Sequence, residues 1–310
     1  MNIGPIIVYG ALRSGTTLVG LMLNGNRSLI FLGEADFLFD YLTINPNLDA
    51  SLDSAALARD RIFRDSGARL DLRLKPADAI RDLLRQLAPS DERPVVLMLH
   101  RHLGKALALF PDAPVVHMLR DPRDVAKSSI GMGWAGDVFH GVGHWIDTEN
   151  EWDRVIAARP AIRAHELRYE AVIRDTQGQL KDLCRFLGID FDDAMLAYHR
   201  GSSYAAPDVA LIEQWRRGQT PVEIALVEGR TGGLLARRGY RASGITPIVP
   251  RGGRLLVLWL RNKAAIWRYQ LRHFGAIDPL LVALSRNLGV ARLGAGAQAR
   301  IDHKVRRLLK

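Results

Sequence analysis

The amino-acid sequence predicts an α/β fold: a three-layer arrangement with a central parallel sheet flanked by helices, followed by a basic helical C-terminal extension. Three observations carry this. Short apolar runs that read as buried strands alternate with longer stretches at helical spacing. A glycine-containing turn joins the first such run directly to the first helix. The excess positive charge is confined to the end of the chain. Of 43 Lys and Arg residues, 13 lie in 251–310, where the only acids are Asp278 and Asp302. The first 250 residues hold 30 basic and 31 acidic residues and are close to neutral.

The elements follow in order. Residues 5–9, PIIVY, form an apolar run before a glycine and predict a buried strand. Leu18, Leu21 and Met22 then recur at helical spacing. Further strands are predicted at Val95–Leu99, at Val115–Leu119 after the turn Pro111–Asp112–Ala113–Pro114, and near Glu166–Tyr169. Helices are predicted over roughly 54–64, 76–88, 122–130, 147–157, 176–187 and 207–216. Strands separated by helices imply βαβ units, and hence a parallel sheet with both faces covered. Gly/Pro punctuation at 244–247 and 250–253 sets a boundary, giving a domain over 1–245 and an extension over 246–310.

Composition excludes several classes. Hydrophobic residues make up 48% and charged residues 25%, too apolar for a disordered chain. The single cysteine, Cys184, excludes an internal disulfide framework and a Cys-rich zinc site. No apolar run approaches the ~18 residues of a spanning helix. MNIGPIIVYG has neither charged leader nor cleavage pattern, so a cytoplasmic protein is expected.

Gly10–Ala11–Leu12–Arg13–Ser14–Gly15–Thr16–Thr17 has the spacing G-x-x-x-x-G-x-T between a strand and a helix. That context suits a phosphate-cradling loop: glycines let backbone N–H groups converge on an anion, and the helix N-terminus adds its dipole. A P-loop NTPase carries Lys before the final Ser/Thr. Here that position is Thr16, and the cation, Arg13, lies inside the loop. A second anchor follows the strand Val115–Leu119: Arg120–Asp121–Pro122–Arg123–Asp124, with Ser128 on the next helix. A cation at a strand's C-terminal end sits on the rim where open parallel sheets bind ligands. Arg120 can grip a phosphate bidentately and Ser128 can donate one hydrogen bond.

Together these two motifs resemble the sulfotransferase family that uses 3′-phosphoadenosine 5′-phosphosulfate (PAPS). That family has a 5′-phosphosulfate loop of the type R/K-S-G-T-T and a later 3′-phosphate element of the type R-D/N-P-x-D-x-x-x-S. LRYEAVIRD and LCRFLGIDFDDAM, between Leu167 and Met195, resemble further family segments. Trp215–Arg216–Arg217–Gly218 and the Leu-x-x-x-Gly-Tyr ending at Tyr240 are weaker matches. The resemblance runs over roughly residues 4–242. It implies a P-loop-like fold and a PAPS cosubstrate without metal. It places Arg13 at the bridging oxygen and sulfonate, and Ser14, Gly15, Thr16 and Thr17 around the 5′-phosphate. Arg120 and Ser128 go to the 3′-phosphate and Tyr169 near the adenine.

Sulfonate transfer needs a base for the acceptor hydroxyl. Gly33–Glu34 resembles the Gly-Glu element of tyrosylprotein and bacterial carbohydrate sulfotransferases. His102, in His100–Arg101–His102–Leu103, resembles the His-Leu of cytosolic small-molecule sulfotransferases. The Arg-containing loop accompanies a Glu base, which favours Glu34 and leaves His102 as the alternative. Competing readings are a P-loop kinase or nucleotidase with Asp121 holding magnesium, which the absent loop lysine opposes, and a polyanion- or membrane-binding protein with an inactive body. The acceptor, be it glycan, glycolipid, another small molecule or protein tyrosine, stays open.

The extension has its own signal. Leu256, Leu260, Trp267, Leu271 and Phe274 fall at helical intervals, flanked by Arg254, Arg261, Arg268 and Arg272, with Trp259 and Tyr269 as further aromatics. Residues 254–274 therefore predict a basic amphipathic helix. It suits an anionic membrane surface, which would make the protein peripheral on the inner membrane face, or packing on the body or on a second subunit of a homo-oligomer. Nucleic acid is not expected as a partner.

Overall fold

The computed structural model describes residues 4–45, 49–88, 93–200, 205–288 and 291–308. It separates into two compact units, one formed by residues 1–121 and 144–214, the other by 122–143 and 215–310. The extension thus groups with 122–143 and 215–245.

The first unit is built on a parallel five-stranded sheet. Its strands are β1 Ile6–Tyr9, β2 Ile30–Glu34, β5 Val95–Leu99, β6 Val115–Leu119 and β7 Ala164–Arg168, in the order β2-β5-β1-β6-β7. A separate antiparallel hairpin pairs β3 Leu42–Ile44 with β4 Ala50–Leu52. Strand alternation sorts the core into two layers. Ile7, Tyr9, Leu97, Leu99 and Val115 pack against Leu38, Phe39, Ile80, Leu83 and Leu103 on one face. Ile6, Val8, Val96, Val116, Met118 and Leu167 pack against Leu18, Met22, Leu180 and Leu183 on the other. Every residue of β1 is buried, as the run IIVY requires of a central strand.

The α/β class and the four strands expected from sequence are borne out. Several local expectations are corrected. The helix expected over 54–64 is two short helices, Ser54–Leu57 and Arg61–Ser66, with Asp60 extended between them and capping the second through its carboxylate. The helix expected over 207–216 is a 3₁₀ turn, Val209–Leu211, and a short helix, Trp215–Gly218. The strand β2 and the β3–β4 hairpin were not expected. In β2, Gly33 adopts φ 77° and the register shifts between Phe31 and Glu34, which hides the two-residue period.

The second unit is helical. Its helices include Pro122–Gly131, Pro221–Thr231, Gly253–Phe274, Ile277–Leu288 and Ala291–Leu308. At its centre Arg123 donates to Glu228 Oε1 at 2.7 Å, with each side chain 2% exposed, and lies 3.7 Å from the Trp215 ring centroid. Asp124 accepts from the Trp215 N–H at 2.8 Å, and Gln219 Nε2 donates to the Arg123 carbonyl at 2.6 Å. The second arginine of Arg-Asp-Pro-Arg-Asp is therefore a packing residue, held by Trp215, Gln219 and, on the helix Pro221–Thr231, Glu228. Arg123→Ala should destabilise the fold by about 3–5 kcal/mol, because Glu228 would be left charged and buried. Denaturant unfolding reads this directly; a loss under about 1 kcal/mol would mean water reaches the pair.

Candidate active site

The glycine loop leaves the C-terminal end of β1 beside β5 and β6. The Gly10 N–H donates to the Leu99 carbonyl at 3.1 Å. A Cβ at Gly10 would collide with the Met118 carbonyl oxygen, and one at Gly15 would lie 2.5 Å from the Tyr169 ring. Gly15 also has φ 94°, so both positions require glycine. Arg13 holds φ 70°, a left-handed conformation that costs a non-glycine residue about 1–2 kcal/mol. Such strain is characteristic of functional loops.

The helix Thr16–Asn24 starts at Gly15 with no side-chain cap and no acid in its first turn. Its leading N–H groups and dipole are thus available to an anion. Ser14 is fully buried, and its Oγ has no hydrogen-bond partner among the described residues. A buried hydroxyl in that condition is normally satisfied by something else, here by an anion seated in the loop.

Arg120, at the end of β6, spans the loop from the other side. Its Nη1 donates to the Arg13 carbonyl at 3.0 Å and its Nη2 to the Leu211 carbonyl at 3.3 Å. The guanidinium lies 4.2 Å from the Tyr169 ring centroid, a cation–π contact. Trp145 Nε1 holds the Arg120 carbonyl at 3.1 Å. His144 Nε2 meets the Leu12 carbonyl at 3.0 Å, and burial holds its pKa below the usual histidine value. The first unit therefore gathers Arg13, Ser14, Gly15, Thr16, Thr17, Arg120 and Tyr169 about one loop. Ser128 lies on the helix Pro122–Gly131, in the second unit.

The two candidate bases occupy different settings. Glu34 ends β2, with Oε1 3.8 Å from His100 Nε2. His100 is buried, and its Nδ1 is 2.8 Å from the Gly10 carbonyl. A carbonyl only accepts, so Nδ1 carries the hydrogen. With one proton held between them, Nε2 faces Glu34 either as the N–H of an imidazolium beside a carboxylate, or bare beside a carboxylic acid. The His100 imidazole holds the Glu34 carboxyl below its ordinary pKa, despite burial. Burial pushes His100 down, but the Glu34 and Asp36 carboxylates and the Gly10 carbonyl outweigh it and raise the pKa.

His102 is turned elsewhere. Its Nε2 is 2.9 Å from Asp40 Oδ1, and its N–H donates to Glu151 Oε2 at 3.0 Å. Arg101 makes a bidentate pair with the same Asp40; burial pushes that acid's pKa up, but the hydrogen bonds from His102 and then Arg101 outweigh it and hold the pKa at about 2. Buried Asp36 accepts from the N–H groups of His100 and Arg101 and fixes the end of β5; burial raises its pKa. His100 and Asp36 are site residues that the sequence does not mark as such. Their only signal was chemical, a His two residues before His102 and an Asp two after Glu34.

Among the described residues, no group of three or more His, Cys, Asp or Glu side chains converges to hold a metal ion. No helix among them is long and apolar enough to cross a membrane.

Comparison with known proteins agrees with this geometry. Residues 5–193 match the model of the sulfotransferase family. That stretch contains the glycine loop, Glu34, His100, Arg120, Ser128 and Tyr169. An uncharacterized protein of Aquifex aeolicus (strain VF5) is 25% identical over 261 residues, covering 73% of this chain and 32% of that protein. The omega-hydroxy-beta-dihydromenaquinone-9 sulfotransferase Stf3 of Mycobacterium bovis is 30% identical over 147 residues, covering 43% of this chain and 37% of that one. The chain thus spans about a third of the length of these curated relatives. Among solved structures, the sulfotransferase domain from the curacin biosynthetic pathway shares the fold, with a TM-score of 0.58 and 20% identity over 77% of this chain and 98% of that domain. The resemblance carried by the two phosphate motifs is borne out: the chain belongs to the sulfotransferase family.

Proposed function

We propose that this chain moves a sulfonate group from PAPS to a hydroxyl of a glycan, glycolipid or other small molecule by in-line transfer, with Glu34 as the base. The observation that carries the reading is the loop at Gly10–Thr17. It combines two side-chain-intolerant glycines, an uncapped helix N-terminus, an internal arginine and a buried Ser14 hydroxyl without a partner. These residues fit a bound phosphosulfate. PAPS, when bound, supplies the sulfonate and a phosphate leaving group.

The protein's part is positional and electrostatic. Ser14, Gly15, Thr16 and Thr17 hold the 5′-phosphate by N–H and O–H donation. Arg13 offers a guanidinium at the position where negative charge grows on the leaving oxygen. Arg120 binds the 3′-phosphate, and Tyr169, already stacked under it, borders the adenine. Glu34 takes the acceptor's proton. His100 positions it and, as imidazolium, keeps it ionised. His102 is the alternative base, but its ring already engages Asp40.

The competing kinase reading is separated by ligand choice. PAPS or its desulfonated product should raise the melting temperature without magnesium, whereas ATP should not. Incubation with radiolabelled sulfonate donor and a lysate then identifies the acceptor. Loss of the 3′-phosphate contact gives a further expectation. Arg120→Ala should weaken donor binding by about 2–5 kcal/mol while leaving kcat at saturation largely intact. Wild type should discriminate strongly between PAPS and a donor lacking the 3′-phosphate, and the variant should not. Equal discrimination by both would remove Arg120 from that role.

A further inference from the structure

We propose that the helix Gly253–Phe274, with the neighbouring helix Ile277–Leu288, is a docking surface for an anionic lipid bilayer. The contacts of the second unit decide which side of the 22-residue helix is packed. Asn262 is buried, and its Oδ1 accepts from the Gly136 N–H at 2.6 Å. A Cβ on Gly136 would lie 2.5 Å from Ala265, and one on Gly133 would collide with the Tyr269 ring. Asn262, Ala265 and Tyr269 therefore face the segment 133–136. This corrects the expectation that Tyr269 is an interfacial aromatic.

At about 100° per residue, the opposite side carries Leu256, Leu260, Ala264, Trp267 and Leu271. That side is not packed: Leu256 is 58% exposed, Leu260 51%, Leu271 44% and Trp267 36%. Arg254, Arg261, Arg268 and Arg272 run along one edge of the stripe and Lys263 lies on the other. All five are exposed, and the helix contains no acid. The next helix continues the pattern with Ile277, Leu280 and Leu284 exposed at helical spacing. A cleft of about 320 Å³ adjoins the stripe and is lined by Ile266, Trp267, Phe274, Pro279 and Val282, among others.

Charge chooses the occupant. An apolar face bordered by cations alone matches the plane where acyl chains meet anionic headgroups. A second copy of the chain would bring its own arginine row against this one, and like charges repel. A nucleic acid would satisfy the arginines but leave the exposed leucines in water. The inference stands independently of the transfer reaction.

The test is flotation of the full chain with vesicles of phosphatidylcholine, alone or mixed with phosphatidylglycerol, at about 0.1 M salt, where the Debye length is about 10 Å. Wild type should bind the mixed vesicles at least tenfold more than the neutral ones, and less as salt rises. Leu260→Glu with Trp267→Glu should lose binding tenfold or more. Arg261→Gln with Arg268→Gln should lose about 25-fold on mixed vesicles, roughly fivefold per charge, and little on neutral ones. Thermal melting of each variant reports folding, and the midpoint should hold for the glutamine pair, whose replaced arginines are exposed. If the glutamate pair fails to fold, the glutamine pair decides. The proposal is overturned if wild type ignores anionic vesicles, if it binds both vesicle types alike, or if the glutamine pair binds as wild type does. It is equally overturned if the stripe instead supports a dimer that Leu260→Glu dissolves without any vesicle binding, or if the protein is retained on duplex DNA but not on vesicles.

Discussion

Glu34→Gln should leave donor affinity near wild type while kcat falls about 10²–10⁴-fold, the range of a lost general base. The amide keeps shape and reach but cannot accept the acceptor's proton. The pH profile extends the prediction. The Glu34 carboxyl is held below its ordinary value of 4.5 and His100 above 6.5. The charged pair therefore exists across the window between those limits, and turnover should fall below it as Glu34 protonates. The alkaline change should track loss of the shared proton and move in His100→Asn, where the side-chain amide can still donate to Gly10. For stability the signs are opposite for the two groups. The depressed Glu34 contributes above about 4.5 and loses its contribution as pH falls through its folded pKa. The raised His100 contributes below about 6.5 and loses it as pH rises through its folded pKa. Asp36 and Arg101 also act on His100 or Glu34, so the limbs belong to the cluster rather than to one residue. A near-wild-type kcat for Glu34→Gln together with an inactive His102→Ala would transfer the role to His102.

Arg13→Ala should lower kcat by about 10²–10³-fold or more, with a smaller loss of donor affinity. The reason is timing: charge on the leaving oxygen develops mainly in the transition state, so a cation aimed there contributes little to ground-state binding. Arg13 also holds a left-handed backbone that alanine tolerates no better, so the substitution offers no relief of strain to confuse the reading. A rise in donor KM with kcat unchanged would make Arg13 a ground-state binder. Arg13→Lys separates charge from geometry, since lysine keeps the charge but loses the planar fork.

The sequence by itself determined the α/β class, the strands β1, β5 and β6, the glycine loop and the resemblance to sulfotransferases. All of these are local: a buried strand is a run of apolar residues, and a phosphate loop is contiguous glycines, a cation and hydroxyls before a helix. It also located the basic amphipathic helix at the end of the chain. Other features depend on residues far apart in sequence. Gly33 broke the alternation that would have revealed β2, and only pairing with β5 carries Glu34 to His100, 66 positions later. Arg120 and Arg123 read alike within one motif. Packing separates them, placing Arg120 over Tyr169 beside the loop and burying Arg123 against Glu228. Sequence singles out His102 through its His-Leu resemblance, but the turn after β5 directs that ring to Asp40 and the His100 ring to Gly10. In the terminal helix, periodicity defined a stripe, but only the contacts of Asn262 and Tyr269 with the 133–136 segment decided which side is covered. Periodicity records which residues share a face, whereas long-range burial decides what that face meets.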